Sequence, residues 1–237
     1  MATMKAAVFG GVGDVTMRAD VARPAAGAGE VLIQVAACGI CGSDLHIYRV
    51  DSRSARDMYV GTLRVDADGR MIIGHEFAGV IAEVGTGVEG YAVGDRVVGV
   101  TGGGAMAEFV PVPANPFQLA HIPDGVSFEE AATTEPLADS LQLVRKAAVA
   151  PGENVVVFGV GTIGLGVVQA LRALVPDIGH IIAVDVSASR LAMALEVGAS
   201  DAINAANEDV VAAAGRICGT IPVPFPPMTP PDVAVVI

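Results

Sequence analysis

The sequence contains no tryptophan, and aromatic residues make up only 4% of its 237 positions. Positive charge is also scarce: 14 Lys and Arg stand against 26 Asp and Glu, a formal net charge of −12. A groove that follows nucleic-acid phosphates needs a basic footprint, so no nucleic-acid partner is expected. The three cysteines, Cys38, Cys41 and Cys218, cannot pair evenly. That argues against a secreted disulfide framework and for a cytoplasmic protein. The N-terminus, Met1-Ala2-Thr3-Met4-Lys5, lacks the apolar run of a signal peptide. Residues 155–171 carry no charge, but glycines at 159, 161, 164 and 166 interrupt them. They are also shorter than the ~20 residues a membrane span requires, so no membrane partner is expected.

What is present is apolar and rich in glycine. Hydrophobic residues are 52%, charged residues 17%, and there are 29 glycines. That is too apolar for disorder and suits a folded chain with many tight turns. The pattern changes near Pro151. Before residue 115, short β-branched segments at 5–9, 30–37, 76–84, 95–100 and 107–112 end at turn residues, as in a small barrel-like β domain. Residues 128–149 read as a helix, or a pair broken near Pro136, with Ser127 as N-cap and Glu129 and Glu130 in the first turn. Strand and helix then alternate: strands at 154–158, 180–185, 201–203 and 232–237, helices at 162–175, 189–197 and 207–217. Such alternation predicts a doubly wound parallel sheet. The domains are therefore read as 1–150 and 151–237.

Two segments fall outside this pattern. Arg49, Arg53, Arg56, Arg64 and Arg70 lie among acidic residues; they form a solvated loop or a lid over an anionic substrate. Residues 222–231 hold six prolines and read as a stiff connector, since proline suits neither a helix interior nor a central strand.

The run Gly159-Val160-Gly161-Thr162-Ile163-Gly164 follows a predicted strand and opens a predicted helix. In that context the first glycine permits a tight turn. The second lets the backbone approach a pyrophosphate, and the third lets helix and strand pack closely. The helix N-terminus adds N–H groups and positive potential. Asp185, at the end of the second strand, is placed to accept hydrogen bonds from ribose hydroxyls and to repel a 2′-phosphate, which favours NAD over NADP. Arg190 nearby is the residue that would serve a 2′-phosphate. Gly159, Gly161, Thr162, Ile163, Gly164, Asp185 and Arg190 are the candidate cofactor contacts.

A second constellation is Cys38-Gly39-Ile40-Cys41-Gly42-Ser43-Asp44-Leu45-His46, with Gly74-His75-Glu76 further on. Cys, His and Glu all ligate zinc, and a catalytic zinc keeps one position open. Taken alone, Cys38-x-x-Cys41 is also compatible with a redox pair or half of a structural zinc site. With Val93-Gly94-Asp95-Arg96-Val97 and Glu135-Pro136-Leu137-Ala138, these motifs over residues 5–205 resemble the zinc-dependent alcohol and polyol dehydrogenases of the medium-chain dehydrogenase/reductase family, in the branch of sorbitol, butanediol and threonine dehydrogenases.

That resemblance implies a GroES-like β-barrel catalytic domain followed by a Rossmann-type sheet. It also implies a hydride transfer between a small alcohol or polyol and NAD(H). By the same resemblance Cys41 and His75 bind the catalytic zinc, with Glu76 as a direct or alternating ligand. Glu135 stands where other members have a cysteine and is implied to bind the zinc directly or through water. Asp44 is implied to orient His75, Ser43 and His46 to form the proton relay, and Cys38 to be a small packed neighbour. Many relatives carry four clustered cysteines after the Gly-Asp-Arg-Val strand. Residues 98–105 here have none, so one zinc is expected and no structural zinc. The strand count also places the end of the chain inside the fourth strand of a six-stranded fold, with the nicotinamide side beyond it. Two alternatives follow: a non-catalytic remnant that binds zinc and nucleotide, and a zinc-free enzyme resembling quinone reductases. A homo-oligomer is expected of the full-length form.

Overall fold

The computed structural model describes residues 2–50, 65, 66, 68–221 and 230–237. They fold as two compact units, Met1–Glu135 and Pro136–Ile237.

In the first unit, strands β1 (Thr3–Gly11) and β2 (Asp14–Ala22) form an antiparallel hairpin. Strands β3 (Glu30–Cys38), β4 (Glu76–Val84), β5 (Arg96–Val100), β6 (Phe109–Pro113) and β7 (Leu119–His121) form an antiparallel sheet in the order β6-β3-β4-β5-β7. Val31, Ile33, Phe77, Ile81, Val97, Val110 and Val112 bury its apolar side, as β-branched and aromatic residues do on a pleated surface. A short helix, α1 (Gly42–Arg49), follows β3. Its Ile47 is buried with Ala7 and Phe9 of β1 and with Met71 and Ile73, so the hairpin holds the helix that follows Cys41.

The 128–149 segment is two helices, α2 (Phe128–Ala131) and α3 (Thr134–Ala147). The break falls at Ala132-Thr133 instead of Pro136. Proline is tolerated in a first turn, where an N–H has no intrahelical partner, and there Pro136 sits. Ser127 caps α2: its Oγ accepts the Glu130 N–H at 3.1 Å, and the Glu130 carboxylate accepts the Ser127 N–H at 2.8 Å.

The second unit continues from α3 into β8 (Val155–Phe158), α4 (Thr162–Leu174), β9 (Ile181–Asp185), α5 (Ala188–Glu196), β10 (Asp201–Asn204), α6 (Val210–Cys218) and β11 (Val235–Val236). The strands are parallel in the order β10-β9-β8-β11, that is third, second, first, fourth. Val167, Val168 and Leu171 of α4 pack with Val155, Val157, Ile181 and Ala183. Ala213 and Ala214 of α6 pack with Val156, Ile182, Val184 and Ile203. Both faces of the sheet are thus covered, which is why its strands read as continuous apolar runs. The charge-free stretch 155–171 is a strand, a turn and a helix, and among the described residues no helix is long and apolar enough to cross a membrane.

Two boundaries differ from the sequence reading by three residues. The last helix begins at Val210, not 207, because Asp209 caps it, accepting the Ala212 N–H at 2.7 Å. The strand expected at 232–237 is two residues long: the Asp232 N–H goes to the Gly219 carbonyl, Val235 and Val236 are in register with β8, and Ile237 extends the hydrogen bonding to Val156 and Phe158. Most of the arginine-rich loop and of the proline run lie outside the described residues. Within them, Arg70 pairs with Asp66 and Asp68.

Candidate metal centre and dinucleotide site

The candidate metal site is built by strand register. Strands β3 and β4 are antiparallel neighbours with Cys38 opposite Phe77. The turn after β3, bearing Cys41, therefore lies beside the Gly74-His75-Glu76 segment that opens β4. A thiolate, an imidazole and a carboxylate converge there: the ligand atoms of Cys41, His75 and Glu76 lie within 4.8 Å of one another. That donor set and open, partly buried arrangement suit zinc, whose bonds to such atoms are about 2.0–2.3 Å.

The surrounding backbone holds the three in place. Asp44, buried in α1, accepts the Cys41 N–H at 2.9 Å through Oδ2 and the Gly74 N–H at 3.1 Å through Oδ1. One carboxylate thus ties together the main chains of both ligand segments. The sequence reading aimed Asp44 at the His75 ring; in the structure its two oxygens serve these backbone groups. Gly74 adopts φ +84, and a Cβ there would lie 2.8 Å from the Met106 nitrogen and 3.0 Å from Cys38 Sγ, so only glycine fits. The carbonyl of His75 accepts the Thr101 N–H at 2.8 Å, and that of Gly74 the Ala105 N–H at 3.0 Å. The sequence reading names Gly74 only as part of the Gly74-His75-Glu76 motif, without this packing role, and gives Thr101 no role.

Burial, reinforced by the charge of Glu135, pushes the Glu76 carboxyl above its ordinary value, with His75 opposing. Crowding of this kind is what a bound cation would relieve. Glu135 acts on Glu76 through its charge but stands outside the converging set. Cys38 lies beside the site. Burial first, then the charges of Asp44 and Glu76, pushes its thiol up to about 12. Ser43 is half-buried and His46 exposed, one turn apart on α1.

The second site is in the other unit. Gly159 leaves β8 with φ +80, and Gly161 caps α4 with no side-chain hydrogen bond. A Cβ on Gly164 would lie 2.2 Å from the Gly159 carbonyl oxygen, which is the close helix–strand approach the third glycine permits. Thr162 and Ile163 are exposed in the first turn of α4. Asp185 ends β9. Its carboxylate accepts the Val160 N–H at 3.1 Å and the Ser187 N–H at 2.8 Å, and pairs with Arg190 at 3.2 Å. Desolvation raises this carboxyl, but the Ser187, Val186 and Val160 N–H groups and the Arg190 charge outweigh it and hold it below the usual range.

The alcohol dehydrogenase GroES-like domain matches residues 27–124. The (R,R)-butanediol dehydrogenase of Bacillus subtilis (strain 168) is 35% identical over 94% of this chain and 70% of its own length. The crystal structure of 2R,3R-butanediol dehydrogenase from Bacillus subtilis superposes with a TM-score of 0.75 at 33% identity, covering 90% of this chain and 67% of that one. The L-threonine 3-dehydrogenase of Pseudoalteromonas atlantica is 31% identical over 81% of this chain and 60% of its own length. The chain belongs to the zinc-type medium-chain alcohol and polyol dehydrogenase family, and it spans between 60% and 70% of the length of these relatives.

Proposed function

We propose that this chain binds one zinc and NAD(H) and serves the oxidation of an alcohol or polyol to a ketone or aldehyde, and the reverse. The observation that carries this reading is the convergence of Cys41, His75 and Glu76 within 4.8 Å. A zinc-free quinone reductase has no use for that set. Residues 1–150 would form the metal-binding domain with its connecting helix, and 151–237 the nucleotide-binding part.

Cys41, His75 and Glu76 would hold the ion, with Glu135 as the nearby carboxylate. When bound, zinc supplies a Lewis acid that lowers the pKa of an alcohol oxygen toward neutrality. Ser43 and His46 would pass the released proton to solvent, His46 being exposed at the outer end of that pair. The nucleotide supplies the hydride acceptor. Gly159, Gly161, Thr162, Ile163 and Gly164 would bind its pyrophosphate, and Asp185 its ribose hydroxyls. The carboxylate of Asp185 favours NAD, since Arg190 is already paired with it and a 2′-phosphate would face negative charge. Three free thiols, one of them a proposed ligand, suit a reducing cytoplasm.

The test is to purify the 237-residue chain and measure zinc content, NADH fluorescence and oxidation of a panel of diols and polyols. Zinc near one equivalent that falls in Cys41→Ala, with nucleotide-dependent turnover, is the expected result. Zinc content unchanged in Cys41→Ala would remove the ligand assignment. Zinc and nucleotide binding without turnover would restrict the chain to a binding role.

A further inference from the structure

Ser140 takes no part in the sites above, yet it is fully buried in α3 and its hydroxyl reaches across to α4. Its Oγ lies 2.8 Å from the Pro136 carbonyl oxygen and 2.9 Å from that of Ile163. The hydroxyl carries a single proton, which the two carbonyls share; the first contact is the ordinary back-bond of a serine within a helix. The second is not local, and it depends on residue 166 being glycine: a Cβ on Gly166 would fall 2.4 Å from Ser140 Oγ.

The carbonyl that Ser140 touches has a partner across one bond. Ile163 C=O and Gly164 N–H belong to a single planar peptide, so a side-chain donor on the oxygen, added to the helix's own i+4 N–H, further restrains the direction of the Gly164 N–H and polarises it. That N–H lies in the first turn of α4, where it has no intrahelical acceptor. The intrahelical series begins one residue later, with the Leu165 N–H on the Gly161 carbonyl at 2.9 Å.

We propose that Ser140 is a positioning residue for the nucleotide pyrophosphate, holding and polarising the Ile163–Gly164 peptide so that its N–H meets a phosphate oxygen. This rests on the assignment of the 159–164 turn to the nucleotide. Ser140 itself touches no ligand. Its effect is confined to ligands that carry the pyrophosphate, whereas a general loosening of the sheet and its helices would weaken adenosine as well, through Asp185.

The test compares ADP-ribose and adenosine binding, by titration calorimetry and by NMR shift titration, in wild type and Ser140→Ala. The expected result is an ADP-ribose affinity lower by about five- to tenfold, the worth of one hydrogen bond, with adenosine unchanged. The Gly164 amide proton should also move downfield less on ADP-ribose binding in the variant. Equal losses for both ligands, or no loss for ADP-ribose, would overturn the proposal and leave the nucleotide assignment standing. A wild-type chain that binds no ADP-ribose would overturn both. If melting shows that Ser140→Ala has lost its fold, Ser140→Cys, which keeps a weaker donor of similar size, replaces it, with a smaller but equally selective loss expected.

Discussion

Removing the Asp44 carboxylate tests how the proposed metal ligands are held. Asp44 is 3% exposed and accepts two main-chain N–H groups, from Cys41 at 2.9 Å and Gly74 at 3.1 Å. Asp44→Ala deletes both acceptors. Hydrogen bonds to a charged group are worth about 1.5–3 kcal/mol each. Cys41 is half-exposed, so water can satisfy part of its loss, while Gly74 is buried. The expected cost is roughly 3–4 kcal/mol, a fall in Tm of about 10 °C for a unit of this size. Asp44→Asn keeps one acceptor oxygen but turns an NH2 toward the other donor; its cost should be about 2 kcal/mol. Zinc affinity should fall in both, by roughly 10- to 100-fold, because each ligand segment loses its tie to the other. The assay is thermal melting of zinc-stripped protein, so that metal binding does not mask the change, followed by chelator competition for zinc affinity. If Asp44→Ala melted within about 2 °C of wild type yet lost zinc, the carboxylate would be acting on the His75 ring, and the backbone tie would be refuted.

Three further outcomes are expected. Gly164→Ala places a Cβ 2.2 Å from the Gly159 carbonyl oxygen; the clash with backbone should outweigh alanine's helix gain of about 1 kcal/mol and cost a net 1–3 kcal/mol or so, and a Tm at or above wild type would contradict the close approach. Asp185 is held below its ordinary value, so its stabilisation is fully present above the unfolded carboxylate pKa of about 3.9 and is lost as pH falls through the folded value. Asp185→Asn should accordingly flatten the Tm-against-pH curve below about pH 4, and an unaltered acid limb would count against the carboxylate's bonds to Val160, Ser187 and Arg190. Cys38, half-buried with its thiol pushed up to about 12, should resist iodoacetamide at pH 8, where little of it is thiolate; rapid labelling of Cys38 by peptide mass mapping would show that its surroundings do not suppress the thiolate.

Much of the second unit was legible in advance because its signals are local. A buried strand, a glycine turn, an amphipathic helix and a strand ending in Asp185 each follow from neighbours along the chain, and β8, α4, β9 and α5 lie within a residue or so of expectation. The elements that escaped lack such signals. Strand β2 is almost wholly exposed and charged at Asp14, Arg18 and Asp20; pairing with β1 makes it a strand, and pairing is not visible in its own residues. Strand β7 is three residues long, and helix α1 eight, with only Asp44 and Ile47 buried. Neither is long enough to show a period. Pro136 was a misleading breaker, since proline within a first turn is compatible with the helix it begins.

The sequence by itself determined the chemistry available: a thiol at 41, an imidazole at 75, carboxylates at 44, 76, 135 and 185, and glycines at 159, 161 and 164 after an apolar strand. It also determined the order of strands and helices in the second unit, because periodicity and turn residues act between close neighbours. Only the tertiary structure decided which of these groups meet. The antiparallel register of β3 on β4 brings Cys41 to His75 and Glu76 and leaves Glu135 outside the converging set. The packing of the first unit turns Asp44 to the backbone of both candidate ligand segments, and in the second unit the approach of α3 to α4 makes a buried serine the neighbour of the glycine turn. Contacts of that kind depend on strand register and helix approach, which are set by cores assembled from residues far apart in the chain, and no local pattern encodes them.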